Sequence, residues 1–211
     1  MYPTAEMRWF FRGPIPPEVE AWFQQGAGSV EREPPRTDRY LRLPGSDDLN
    51  VKLREGRLEI KQRVGTTHTL RLHEHVSGVV ERWHKWSFEL AEPAGARTET
   101  MSAAGSWIAV RKERRLRTYQ VKRGGRVVAL TSSEPPAEGC ELELSTIDAA
   151  GQTWWTLAFE AFGDESALPD NLVLVAKQVL SVRDEPPPFP TDASQGYAAW
   201  LSNLDGAEAR S

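Results

Sequence analysis

A single cysteine, Cys140, stands in a chain of 211 residues. That excludes an intramolecular disulfide and any zinc centre built from several thiolates. Long apolar runs are missing too. Nothing approaches the roughly 20 apolar residues that span a bilayer, and the opening stretch from Met1 to Gly13 lacks the apolar run of a signal peptide. The expectation is a cytoplasmic protein with no membrane partner. There is no excess of positive charge: 26 Lys and Arg against 30 Asp and Glu leave a net charge of −4, so a nucleic-acid partner is not expected. Nucleophile-elbow, phosphate-loop and dinucleotide fingerprints are absent, which removes those reaction classes. What remains is 39% hydrophobic and 27% charged, enough for one sizeable core.

The two ends read differently from the middle. Pro16-Pro17 followed by acidic residues predicts a short helix from Glu18 to about Gln25, ended by Gly26, with a loop over Gly26–Pro35. Leu172, Val175, Ala176 and Val179 recur at helical spacing and predict an amphipathic helix over Leu168–Val182. The run from Asp184 to Pro190 must be extended, Gly196–Leu204 reads as a short helix, and a polar tail follows. The domain expectation is a body over 1–183 and an appendage over 184–211.

Between these ends the period is two. Leu49, Val51 and Leu53 alternate with polar residues, Glu55-Gly56 supplies a turn, and Leu58 and Ile60 continue the alternation, so this is a hairpin. Similar runs occupy Met7–Arg12, Arg39–Leu43, Thr67–Val76, Val79–Leu90, Trp107–Arg114, Arg115–Lys122, Val127–Leu130, Gly139–Ile147 and Thr153–Phe162. Connections are short, so the sheet is expected to be antiparallel. The fold class is mainly β with peripheral helices, a meander that closes into a barrel or stays open.

The polar faces carry unusual charge. Lys52 and Arg54 share a face, as do Glu59 and Lys61, Lys112 and Arg114, and Glu141 and Glu143. On an open sheet these are a solvated face. On a closed sheet with that face inward they are a lumen suited to a chain of phosphates, with carboxylates available to Mg²⁺ or Mn²⁺.

The order of these pairs resembles the CYTH family, the triphosphate tunnel metalloenzymes. The family opens on a Glu-x-Glu-x-Lys strand; here Thr4-Ala5-Glu6-Met7-Arg8 falls in that place, with Thr4 for the first Glu and Arg8 for the Lys. Asp38-Arg39-Tyr40 matches an Asp-x-Tyr strand, and Lys52-Leu53-Arg54 an Arg-x-Arg strand, followed by Lys61. Lys112-Glu113-Arg114 and Glu141-Leu142-Glu143 match a later Lys-x-Arg and Glu-x-Glu.

The resemblance implies a closed tunnel of about eight antiparallel strands that hydrolyses inorganic tripolyphosphate or an organic triphosphate with Mg²⁺ or Mn²⁺. Position by position it implies that Arg8, Lys52, Arg54, Lys61, Arg71, Lys112 and Arg114 hold phosphate oxygens. Glu6, Glu141 and Glu143 would coordinate the cation, and Glu6, Arg8 and Lys61 would be catalytic. Such a protein is expected as a monomer or homodimer. The alternative is a polyphosphate- or nucleotide-binding protein of the same fold without turnover, since Thr4 is a weaker ligand than a carboxylate and Arg8 brings a planar fork where the family has Lys.

Two other signals carry bland readings. His73 and His75 share one strand face, yet no third ligand is identifiable beyond His84 or Glu81, so polar-face histidines are expected. Cys140 alternates against Glu141 and is expected in the core.

Overall fold

In a computed structural model that describes residues 1–90, 107–131, 136–181 and 185–204, the alternating segments form eleven strands. They are β1 (Tyr2–Arg12), β2 (Glu31–Arg32), β3 (Arg36–Leu41), β4 (Leu49–Arg54), β5 (Arg57–Arg63), β6 (His68–His73), β7 (Val76–Glu89), β8 (Trp107–Lys122), β9 (Arg126–Ala129), β10 (Gly139–Ala149) and β11 (Gln152–Phe162). Three α-helices accompany them: α1 (Pro17–Gln24), α2 (Leu168–Ser181) and α3 (Tyr197–Asn203). Val182, Asp184 and the polar tail after residue 204 lie outside the described residues.

Eight strands close on themselves. The order runs β1, β11, β10, β8, β3, β4, β5, β7 and back to β1, every pairing antiparallel. The remaining three sit outside the ring: β6 pairs with β7, and β2 and β9 pair with β8. The mainly β antiparallel fold expected from the pattern, and the closed barrel of about eight strands that the resemblance implies, are therefore what the chain builds. At the β4–β5 hairpin Glu55 and Gly56 both take positive φ, +48° and +76°, the backbone twist that a two-residue hairpin requires.

The barrel is apolar outside where helices cover it and charged inside. Met7, Trp9, Leu142, Leu144, Leu157 and Phe159 face outward onto Leu168, Leu172, Val175 and Ala176 of α2, all buried. Cys140 belongs to this layer and is fully buried, as expected. A second cluster closes one end of the lumen: Phe10, Tyr40, Val110 and Ile147 pack against Trp200, Leu201 and Leu204 from α3 and the turn after it.

The C-terminal segment is built into the wall. β1 pairs with β7 only over Tyr2–Met7, after which the two strands diverge. Residues 189–195 fill the seam. Phe189 donates its amide to His75 O and accepts one from Ser77, Val79 N–H donates to Ser194 Oγ, and Gln195 N–H donates to Arg8 O at 3.0 Å. Gly78 is needed here, because a Cβ would meet Met7, Trp9 and Ser194 at 2.8 Å.

Several boundaries differ from the pattern reading. The segments Trp107–Arg114 and Arg115–Lys122 are one sixteen-residue strand, β8. No turn residue separates them, and the alternation fades only because α1 covers Arg115 and Arg117 on the outer face. The loop over Gly26–Pro35 contains β2, and Glu74-His75 is the turn that ends β6. Among the described residues no helix is long and apolar enough to cross a membrane.

Candidate functional site

Alternation on the ring strands aims Glu6 and Arg8, Lys52 and Arg54, Glu59 and Lys61, Lys112 and Arg114, Glu143 and Glu160 into the lumen, where they line one cavity of about 120 Å³. Its wall carries eight cationic and four acidic side chains, a formal excess of four positive charges in a chain whose net charge is −4. Eight of the chain's 26 Lys and Arg thus line this one cavity.

Three ionic groups organise the wall. In the first, Arg8 Nη1 donates to Glu143 Oε1 at 2.7 Å and Arg114 Nη2 donates to Glu143 Oε2 at 2.6 Å, while Ser145 donates to the same carboxylate. Burial alone would raise the Glu143 pKa, but Arg114 and Arg8 overcome it and hold the carboxyl well below its ordinary range. In the second, Lys61 Nζ sits 2.9 Å from Glu160 and 3.4 Å from Glu6. Against the upward pull of burial, Lys61 draws the Glu160 pKa down to about 2.

The third group centres on Asp38 and Glu59. Asp38, fully buried, faces Lys52 at 3.6 Å, Lys112 at 3.5 Å and Arg36 at 3.5 Å, and Glu59 faces Lys52 at 2.9 Å and Lys85 at 3.3 Å. Lys112 also contacts the Tyr40 hydroxyl and lies beside the stacked rings of Tyr40 and Tyr197, 4.7 and 3.9 Å from their centroids. Burial lowers the pKa of Lys52, and burial together with the Lys52 charge lowers that of Lys112 well below the usual lysine value. Cations outnumber carboxylates in this group, although Arg36 also pairs with Glu33.

Opposite lies a row of acids. Pairing places Glu81 beside Glu6, Glu6 beside Glu160, and Glu160 beside Glu141. Burial and the adjacent Glu160 push Glu141 up to about 7; burial and the adjacent Glu6 push Glu81 up to about 7. Among the described residues no group of three or more His, Cys, Asp or Glu is placed to hold a metal ion. Glu143 is taken by two guanidinium groups, and Glu6 lies against Lys61 and Arg8. Thr4 brings a buried hydroxyl without a hydrogen-bond partner among the described residues. The carboxylates thus do not form a preassembled site for Mg²⁺ or Mn²⁺.

The cavity gathers Glu6, Arg8, Lys52, Arg54, Lys61, Lys112, Arg114 and Glu143. Glu141 lies in the acidic row beyond the cavity's lining. Arg71 does not join it. It is exposed and bonds the carbonyls of His73 and Glu74, because β6 adds to an edge of β7 outside the ring. The histidines diverge as well: His75 pairs with Glu185 and His84 with Glu165.

Reading the sequence missed Arg36, Lys85, Glu160 and Tyr197, and it weighed Glu81 only as a neighbour of the histidines. Glu160 had a signal, as a lone charge within Trp154–Phe162 in phase with the inward face. Tyr197 had none, since the seam that admits it is visible only in three dimensions.

No protein-family model matches the chain, and no curated protein matches it. Among solved structures, the PH1819 protein from Pyrococcus horikoshii OT3 superposes with a TM-score of 0.45 at 14% identity, over 98% of this chain and 99% of that one.

Proposed function

We propose that the barrel is a binding tunnel for a small molecule with a triphosphate or polyphosphate chain, as the resemblance to the CYTH tunnel proteins implies. The observation that carries this reading is the excess of cations on the cavity wall, where burial pulls the pKa values of Lys52 and Lys112 below the usual lysine value. Arg8 and Arg114 offer forks that suit phosphoryl oxygens, and Lys52, Lys61 and Lys112 add point charges. Inside a wall that excludes bulk water these interactions gain strength. On this reading the chain's own cations hold the phosphate chain.

Hydrolysis is the second reading, and the row Glu81, Glu6, Glu160 and Glu141 favours it. Two of its members are pushed to about 7 by burial and neighbouring carboxylates, and a bound cation would favour their charged forms. On that reading Arg8 and Lys61 orient the terminal phosphoryl group and stabilise its developing charge, while Glu6 holds Lys61 in place.

Two measurements test the pair. Tripolyphosphate should raise the melting temperature in chelator as well as in Mg²⁺. Release of phosphate from tripolyphosphate, thiamine triphosphate, ATP or GTP in Mg²⁺ or Mn²⁺ would establish the hydrolase. Stabilisation without release by either metal establishes the binding protein, and no stabilisation refutes both.

A further inference from the structure

We infer that the C-terminal segment supplies part of the ligand site: the Tyr197 hydroxyl donates a hydrogen bond to an oxygen of the bound phosphate chain. This rests on the polyanion reading above and adds a residue that lies outside the stretch carrying the family resemblance.

Tyr197 enters the lumen because residues 189–195 occupy the seam between β1 and β7, bonded to His75, Ser77 and Val79 on one side and to Arg8 on the other. Its ring is fixed from several directions. It stacks on Tyr40 at 5.6 Å with an interplanar angle of 6° and meets Phe10 edge-on at 5.1 Å. Lys112 Nζ lies 3.9 Å from its centroid, and the Arg8 guanidinium carbon lies 5.0 Å away. The ring therefore has little freedom to turn its hydroxyl elsewhere.

That hydroxyl is buried and has no hydrogen-bond partner among the described residues. Buried tyrosine hydroxyls ordinarily find one. Burial raises its pKa, so it stays protonated and remains a donor. Arg8 and Lys112, which lie against its ring, bring donors rather than acceptors to this part of the lumen. An acceptor for the hydroxyl that such cationic surroundings favour is an anion oxygen, which is what a phosphoryl group presents.

The test is calorimetric titration of wild type and Tyr197→Phe with tripolyphosphate in chelator, with the melting temperature of each recorded without ligand. The phenylalanine keeps the stack and the ring beside Lys112. Its melting temperature should be unchanged or higher, while affinity falls about tenfold, the loss expected for one hydrogen bond to a charged group. Equal affinity in the two proteins overturns the inference and leaves the tunnel reading intact; no binding by wild type refutes the tunnel reading itself. A second readout needs no variant. In protein labelled with ¹³C at tyrosine Cζ, the four resonances include that of Tyr197, which should shift when tripolyphosphate binds, along with that of Tyr40 in the same cavity. Binding without that shift also overturns the inference.

Discussion

Arg8 and Glu143 stand 135 residues apart in the chain and 2.7 Å apart in the lumen, both nearly inaccessible to water. Arg114 takes the second oxygen of the same carboxylate. One buried anion therefore holds two guanidinium groups side by side, and without it they would repel. Glu143→Ala should destabilise the protein by about 3 kcal/mol, since removing one partner leaves buried charge uncompensated. Tripolyphosphate should restore much of that loss by replacing the missing anion. Urea denaturation of the variant with and without tripolyphosphate measures both effects, and a loss that the ligand does not recover would count against the two arginines facing the ligand.

Arg54 should separate binding from folding. Its side chain is a quarter exposed, and its recorded ion pair is with Glu55, which is itself mostly exposed, so little stability rests on it. It nevertheless lines the cavity. Arg54→Ala should keep the melting temperature of the unliganded protein within about 2 °C, as surface changes do. The stabilisation by tripolyphosphate should be lost or sharply reduced. Unfolding of the variant would show instead that the arginine belongs to a structural pair.

Strand alternation made much of this legible. Lys52-x-Arg54 and Lys112-x-Arg114 could be assigned to one face from spacing alone, because side chains two apart on a strand point the same way. Whether that face was inside or outside could not, because closure depends on β1 meeting β7, a pairing between residues some eighty positions apart. Arg71 shows the cost: it sits in a run that alternates like its neighbours, yet its strand lies outside the ring. Lys61 was legible as a cation, whereas its two acidic partners come from β1 and β11 and depend on the register of the closed barrel.

The acids and their neighbours give stability a peak in mildly acidic solution. Glu81 titrates near 7 when folded because of burial and Glu6, against an ordinary value of 4.5. Between those values the folded state binds the extra proton, so stability falls as pH rises from about 4.5 to about 7. Glu160 has the opposite sign. Its folded value of about 2 contributes stability above about 4.5 that is lost as pH falls toward 2. Denaturation midpoints across pH 3–8 should therefore peak near pH 5, an order-of-magnitude placement between the two windows. Glu81→Gln should reduce the fall on the neutral side and leave the acid side unchanged, the remainder of the fall coming from Glu141, which is also pushed up to about 7. A wild-type curve that rises steadily from pH 5 to 7 would contradict the proximity of Glu81 to Glu6.

Arg117 offers a control for every binding experiment. It is buried at the outer face of β8 and, among the described residues, donates to Phe23 O, Gln24 O, Ala27 O and Gly28 O at 2.7–3.2 Å, capping the C-terminal end of α1. Its charge is met by carbonyl dipoles at the negative end of that helix and by the Phe23 ring, 5.4 Å away, with no recorded carboxylate partner. Burial lowers its pKa, yet arginine remains charged at any ordinary pH. Arg117→Met keeps the apolar stem and removes the donors, leaving carbonyls unsatisfied at about 1–3 kcal/mol each where they stay buried. The variant should lose about 2 kcal/mol or more of stability by urea denaturation, allowing for carbonyls that reach water. Its affinity for tripolyphosphate, measured below its melting transition, should equal that of wild type, because the side chain lies on the opposite face of the wall from the lumen. A weakened affinity would mean that α1 governs the geometry of Lys112 and Arg114 along the same strand.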